Sequence, residues 1–212
     1  MGNAIELLNL TKEYRNMKVL DNTSIVFEEK KIYGVFGRYG SGKTTLLNLI
    51  SAKAHPNLGE IKIFGENPYK FSKVLDNMCF SRRDVLLSNN ITLKRIINEN
   101  SKFYPNWNKD LANHLIEYLK LDYRNKYKDF SPWNQSAINL ILSICSNSPI
   151  TLYDEPFANL PDSANNFFSD IIIKDYNENP KTIIFTEQAI NESNNIYHHV
   201  AILDNGKVNL IK

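Results

Sequence analysis

Nine residues in the first quarter of the chain, Gly37-Arg38-Tyr39-Gly40-Ser41-Gly42-Lys43-Thr44-Thr45, have the types and spacing needed to grip a chain of phosphates. They satisfy the phosphate-loop pattern G-x-x-x-x-G-K-[ST] at every constrained position. Gly37, Gly40 and Gly42 let the backbone turn tightly and aim successive N–H groups inward as an anion-binding nest. Lys43 adds a point charge for the terminal phosphates, and the Thr44 hydroxyl suits a Mg²⁺ ligand. The apolar run Leu46-Leu47-Asn48-Leu49-Ile50 reads as a helix whose N-terminal partial positive charge faces the same phosphates. The chemistry expected of this stretch is binding of a nucleoside triphosphate.

A second constellation follows much later, in Ile150-Thr151-Leu152-Tyr153-Asp154-Glu155-Pro156, an apolar strand ending in two acids. Asp154 stands where a Mg²⁺ ion near the loop needs an acidic partner. Glu155, one residue on, can polarise an attacking water. By itself an Asp-Glu pair after apolar residues is more often a strand-end turn; downstream of a phosphate loop it points to metal-assisted hydrolysis. Tyr14, otherwise an ordinary strand-end aromatic, becomes a candidate platform for stacking a purine.

These residues need elements to hold them. Lys31-Ile32-Tyr33-Gly34-Val35-Phe36 reads as a buried strand before the loop, giving the strand–loop–helix order the motif requires. Strands are also expected over 4–10 and 23–28 with Asp21-Asn22 as the turn between them, and over 59–65, 77–81, 181–186 and 200–203. Asn205-Gly206 should close a hairpin onto Lys207 to Ile211. Ala137 to Cys145 reads as a buried helix. Between 91 and 127 the apolar positions fall at a helical period, with a break and a fresh helix start at Phe103-Tyr104-Pro105-Asn106-Trp107-Asn108.

The length, 212 residues, suits one α/β domain carrying an inserted lobe, and 42% hydrophobic residues supply an ample core. A formal net charge of +2 gives no argument for nucleic acid or an anionic membrane, and no nucleic-acid partner is expected. Cys79 and Cys145 lie far apart in apolar runs and read as buried free thiols, as a reducing cytosol allows. The chain shows no metal-binding Cys/His spacing, and His198-His199 reads as the start of a strand. The N-terminus has no secretory pattern, and no apolar stretch is long enough to span a bilayer. A soluble chain is therefore expected, with any membrane role coming through a partner.

The order of these parts resembles the nucleotide-binding subunit of an ABC transporter over nearly the whole length. The resemblance is carried by Leu10-Thr11-Lys12-Glu13-Tyr14, the phosphate loop, Gly59-Glu60-Ile61 to Gly65, Asp154-Glu155-Pro156, and Val200 to Gly206-Lys207-Val208. Phe103 to Trp107 is similar to the small exporters of peptides and antibiotics of Gram-positive bacteria. The fold implied is an α/β P-loop NTPase core of the ABC ATPase type, with an antiparallel β subdomain and an inserted α-helical subdomain. As one domain over 1–212, the core would take 1–87 and 128–212 and the helical subdomain 88–127. The resemblance implies ATP and Mg²⁺ as cofactors, with Tyr14 on adenine, Gly37 to Thr45 on the phosphates, Thr44 and Asp154 on the metal, and Glu155 as base. It also implies a dimer sandwiching two ATP molecules and driving a separate transmembrane permease at the inner face of the cell membrane. A membrane-facing groove would lie near Arg82 to Asn90, with Leu86 and Leu87.

Departures from the family pattern cluster on the γ-phosphate side. The family's metal- and water-sensing glutamine aligns with Arg82 or Arg83, and a guanidinium cannot ligate Mg²⁺. The signature, usually L-S-G-G-Q, aligns with Phe130-Ser131-Pro132-Trp133-Asn134, where Pro132 lacks a backbone donor and Trp133 puts a ring where a phosphate should approach. The dimer-contact segment reads Ala158-Asn159-Leu160-Pro161, with Asp162 one place late. The switch histidine aligns with Gln188, which can donate to the γ-phosphate but cannot carry charge. Glu155, Gln188 and Lys43 thus form the expected catalytic set of a slow, transport-coupled ATPase, as a homodimer or a heterodimer. The competing readings are a regulatory or scaffolding module that binds ATP without useful hydrolysis, against which Glu155 argues, and a small-molecule kinase. The kinase would need an Arg-rich lid, and the 91–127 segment is too apolar to supply one.

Overall fold

The computed structural model describes residues 2–15, 17–82, 89–158, 160–189 and 196–211. In chain order the strands are β1 (Asn3–Tyr14), β2 (Met17–Glu28), β3 (Ile32–Phe36), β4 (Leu58–Ile63), β5 (Met78–Arg82), β6 (Ile150–Asp154), β7 (Thr182–Glu187), β8 (His199–Asp204) and β9 (Lys207–Leu210). The helices are α1 (Lys43–Ile50), α2 (Leu93–Phe103), α3 (Lys109–Tyr118), α4 (Pro132–Cys145) and α5 (Asp162–Glu178). Two sheets form: an antiparallel one in the order β2-β1-β4, and a six-stranded one in the order β5-β6-β7-β3-β8-β9. Within the larger sheet β6, β7, β3 and β8 run parallel, and β9 returns antiparallel to β8.

The chain divides into two compact units. The first takes Met1–Phe80, Pro149–Glu155 and Pro180–Lys212. Its central strands β3 and β6 are buried at every residue, as continuous apolar runs in a parallel sheet covered on both faces must be. Leu46, Leu47, Leu49 and Ile50 of α1 join Val35, Leu152, Ile184 and Ala201 in one core, which continues through Ile5, Leu7, Phe27 and Ile61 of the smaller sheet. Tyr33 pins the junction: its ring meets Phe27 edge-on at 4.9 Å, and its hydroxyl accepts from the Glu28 N–H at 2.8 Å.

The expected turn at Asp21-Asn22 is not one. Both residues lie inside β2, and the chain reverses instead after Tyr14, which pairs with Met17. Asn22 has a φ of 45°, and the β1–β2 register slips between Leu10 and Lys12. The left-handed tolerance of Asn that marks turns here accommodates an irregularity in a long hairpin.

The second unit takes Ser81–Ser148 and Pro156–Asn179, so it includes α4 and α5 as well as the 88–127 segment expected to be the helical subdomain. Its helices start on side-chain caps: Thr92 accepts from Arg95 N, Asn108 from Leu111 N, and Ser131 from Asn134 N. The break at Phe103–Asn108 ends α2 and caps α3. Helix α3 packs on α4, and α4 on α5, with Tyr118 stacked on Phe167 at 4.8 Å. Nothing in the sequence reading announced α5. Its buried stripe Ala164, Phe168, Ile172 and Asp175 includes a charged residue, and its first turns are rich in Asn, a weak helix former.

Cys79 and Cys145 are buried and form no disulfide with each other, and β8 begins at His199. Among the described residues no helix is long and apolar enough to cross a membrane. Arg83, Leu86, Leu87 and Asn159, on which some of the expectations rest, lie outside the described residues.

Candidate functional site

The phosphate loop leaves β3 at Phe36 and enters α1 at Lys43, inside the first unit. Contact requires glycine at position 37, torsion at position 40, and both at position 42. A Cβ on Gly37 would lie 2.5 Å from Ser41 Oγ and 2.6 Å from the Leu203 carbonyl oxygen. Gly42 has a φ of 105°, and a Cβ there would meet Val19 Cγ1 at 2.7 Å. Gly40, at φ 77°, has open space around it. The loop closes on itself through Ser41 N to the Arg38 carbonyl at 3.1 Å, and is tied to β7 through Gly37 N to the Glu187 carbonyl at 3.1 Å.

Lys43 is 5% exposed, and its ammonium donates to the carbonyls of Gly37 (2.7 Å) and Arg38 (3.2 Å). The same nitrogen lies 3.3 Å from Glu155 Oε1, while Gln188 Nε2 donates to Glu155 Oε2 at 3.2 Å. The three residues of the expected catalytic set therefore form one chain with Glu155 at its centre. Glu155 itself sits at φ 47°, an unfavourable conformation for a side chain of its size. Its N–H holds it there by reaching both the carbonyl and the hydroxyl of Thr186, each at 3.2 Å.

Beside that chain the Thr44 hydroxyl donates to Asp154 Oδ2 at 2.9 Å, and the buried Thr186 hydroxyl donates to Asp154 Oδ1 at 2.8 Å. Asp154 is thus aimed at Thr44 from behind. This all-oxygen pair fits the hard-ligand preference of Mg²⁺, and it would hold the ion where β6 ends beside α1. The loop fits phosphate for related reasons: a nest at positive φ, the N-terminus of α1, a buried ammonium, and a buried Ser41 Oγ lacking a hydrogen-bond partner.

The remaining predicted residues stand apart from the cluster. Tyr39 is 90% exposed at the tip of the loop. Arg38 points its guanidinium to Asp204 at 3.5 Å, an exposed pair worth little. Thr45 lies in the first turn of α1, half-buried. Tyr14 ends β1, 44% exposed, with the Lys12 ammonium 4.7 Å from its ring centroid.

Two residues of the cluster escaped the sequence reading. Thr186 was visible only as a strand residue, and joins the cluster because parallel pairing sets it opposite Asp154. Glu187, one further along β7, is half-buried, with Oε1 shut from solvent and without a hydrogen-bond partner. Burial, and secondarily the Glu155 carboxylate, push its carboxyl up to about 7, with Lys43 pulling the other way.

In the second unit, Ser131 caps α4 and Pro132 occupies its first turn. The proline costs the helix nothing, because an N–H at that position has no partner within the helix. It does remove one donor from the helix end, since Pro132 offers no N–H, and the N–H of Asn134 goes to the Ser131 hydroxyl. Gln135 turns its amide back onto the carbonyls of Tyr127 and Phe130.

A parallel sheet with this loop, a Thr–Asp oxygen pair and a carboxylate after β6 defines a P-loop nucleotide triphosphatase. The family model for the ABC transporter matches residues 20–158, and the chain belongs to that family. It is an ATP-binding cassette, and cassettes of this family are ATPases. It is similar to the ABC transporter ATP-binding protein YtrB of Bacillus subtilis, at 26% identity over 98% of this chain and 71% of that protein. It is 33% identical to the ABC transporter ATP-binding protein YybJ of the same organism, covering 86% of this chain and 84% of that one. The bacitracin transport ATP-binding protein BcrA of Bacillus licheniformis is 26% identical over 98% of this chain and 69% of its own. Among solved structures, the fold matches an ATP-binding subunit of an ABC transporter with a TM-score of 0.85 at 18% identity, over 97% of this chain and 88% of that one. It also matches the dimeric cassette MJ0796, with a TM-score of 0.81 at 20% identity and 96% of each chain covered.

Proposed function

We propose that this cassette binds ATP with Mg²⁺ on Thr44 and Asp154 and hydrolyses it slowly, powering export through a separate membrane subunit. The observation that carries the hydrolytic part is the Lys43–Glu155–Gln188 chain beside the Thr44–Asp154 pair. Gly37 to Thr45 hold the phosphates, Tyr14 stacks on the adenine, and Glu155 orients and deprotonates the attacking water. Gln188 holds Glu155 from a neutral amide, a weaker restraint than a cationic donor would give. The slow rate is supported by Pro132 at the start of α4, which takes away a backbone donor that a partner's phosphate would meet; one missing preorganised donor costs about 10² to 10³ in rate.

The peptide or antimicrobial cargo class rests on the likeness to BcrA, a bacitracin transport protein by its name, and the export direction on the family resemblance alone. Assembly as a homodimer or heterodimer, and attachment at the inner face of the cell membrane, follow from the family reading. Steady-state ATP turnover of the chain alone, and then with a candidate partner cassette, tests the proposal. Fast hydrolysis alone overturns the slow-ATPase reading, and a function that survives Glu155→Gln in the assembled complex favours a regulatory module. The capped signature helix is the observation that keeps that second reading alive.

A further inference from the structure

The site holds one carboxyl more than hydrolysis gives work to. Glu187 ends β7, which lies between β6 and β3, and its backbone is fixed by pairing with Phe36 and by the bond from Gly37 N. Among the described residues, the charges that act on its carboxyl are Glu155 from the loop after β6 and Lys43 from the start of α1, and Tyr197 from the segment before β8 feels Glu187 in turn. None of them neutralises it well. Lys43 is shared among two carbonyls and Glu155, and the Gln188 amide, which carries no charge, donates to Glu155. Arg38, the other cation of the loop, is turned to Asp204. Tyr197 is itself pushed upward, by burial first and by Glu187 second, so it stays a neutral phenol.

A phosphate chain seated on this loop brings several negative charges close to Glu187 and competes for Lys43. Like charges in a partly desolvated site cannot all remain ionised. The group free to respond is a carboxyl whose Oε1 is buried and has no partner. We infer that Glu187 is a further residue of the nucleotide site, one that takes up a proton as the phosphates bind and meets them as a neutral carboxylic acid with an O–H to donate. The proton comes from solvent, and no bond of the nucleotide is made or broken. This inference rests on the reading of the loop as a nucleotide site. It predicts that binding weakens as pH rises, because the proton must be supplied from an increasingly dilute source.

The test is isothermal titration calorimetry of the full chain with ATP in EDTA, at about pH 8, in buffers of different ionisation enthalpy. At that pH the nucleotide is fully ionised, so uptake reports the protein. We expect the parent to take up a substantial fraction of one proton per nucleotide bound. Its Kd should rise by up to about tenfold per pH unit above neutrality, the limit for one linked proton. Glu187→Gln, which keeps the backbone bond to Gly37, should show neither effect. Equal uptake and equal pH slopes in the two proteins overturn the inference, as does binding by the parent with no uptake at all. If the variant fails to fold, the parent's proton count decides alone. Absence of ATP binding by the folded parent at every pH instead overturns the nucleotide reading itself.

Discussion

Substituting Glu187 by Gln should stabilise the chain in the absence of nucleotide, and by an amount that depends on pH. The glutamic acid ionises near 4.5 in an unfolded chain and near 7 in the folded one. Between those values the unfolded chain has released the proton and the folded chain still holds it, so the folded state binds more protons and stability falls as pH rises. A shift of that size corresponds to about 3 kcal/mol at full effect. The side chain is only half-buried, so solvent screening reduces this to on the order of 2 kcal/mol. Gln is nearly isosteric and cannot ionise, so the penalty is absent from the variant. Urea unfolding of both proteins at about pH 5, 6, 7 and 8 reads the effect. The stability of the variant minus that of the parent should grow by that amount across the series and level off above neutrality. Parallel pH profiles would refute the reasoning, because they would mean that the carboxyl is solvated as well in the fold as out of it.

Other outcomes follow from the same cluster. Glu155→Gln should retain ATP binding and lower turnover by about 10² or more, as removal of a general base does; unchanged turnover in a phosphate-release assay would remove Glu155 from the mechanism. Asp154→Asn should weaken the Mg²⁺ dependence of nucleotide affinity while leaving metal-free binding nearly intact, which fluorescent-nucleotide titrations with and without Mg²⁺ will separate. Gly37→Ala must displace either Ser41 or the Leu203 carbonyl, so we expect about 1–3 kcal/mol of destabilisation and lost ATP protection in thermal melts. Ser131→Ala removes the cap of α4 and should cost about 1 kcal/mol in chemical unfolding, with no change in nucleotide affinity.

Local signals determined a great deal here. The spacing of Gly37, Gly42, Lys43 and Thr44 dictates its own backbone, since a nest needs residues free to adopt positive φ, and the helix behind it is set by the adjoining apolar run. The strands β3 and β6 and the Asn205-Gly206 hairpin were legible for the same reason: their information lies in consecutive residues. The fold class and the family followed from the order of such segments along the chain.

Tertiary structure decided the rest. Asp21-Asn22 carries turn chemistry, yet the extended hairpin pairing of β1 with β2 absorbed it as an irregularity within a strand. Helix α5 hid because its buried stripe is interrupted by Asp175 and preceded by weak helix formers, and packing overrides propensity where α4 supplies a surface. The site shows the contrast most clearly. Lys43, Thr44, Asp154 and Glu155 announce themselves by motif, whereas Thr186 and Glu187 are two ordinary residues of a strand end. Parallel pairing of β7 with β6 and with β3 sets them opposite Asp154 and Phe36. Burial and charge then make Glu187 a different acid from any glutamate read in the sequence, because a pKa belongs to an environment that only folding creates.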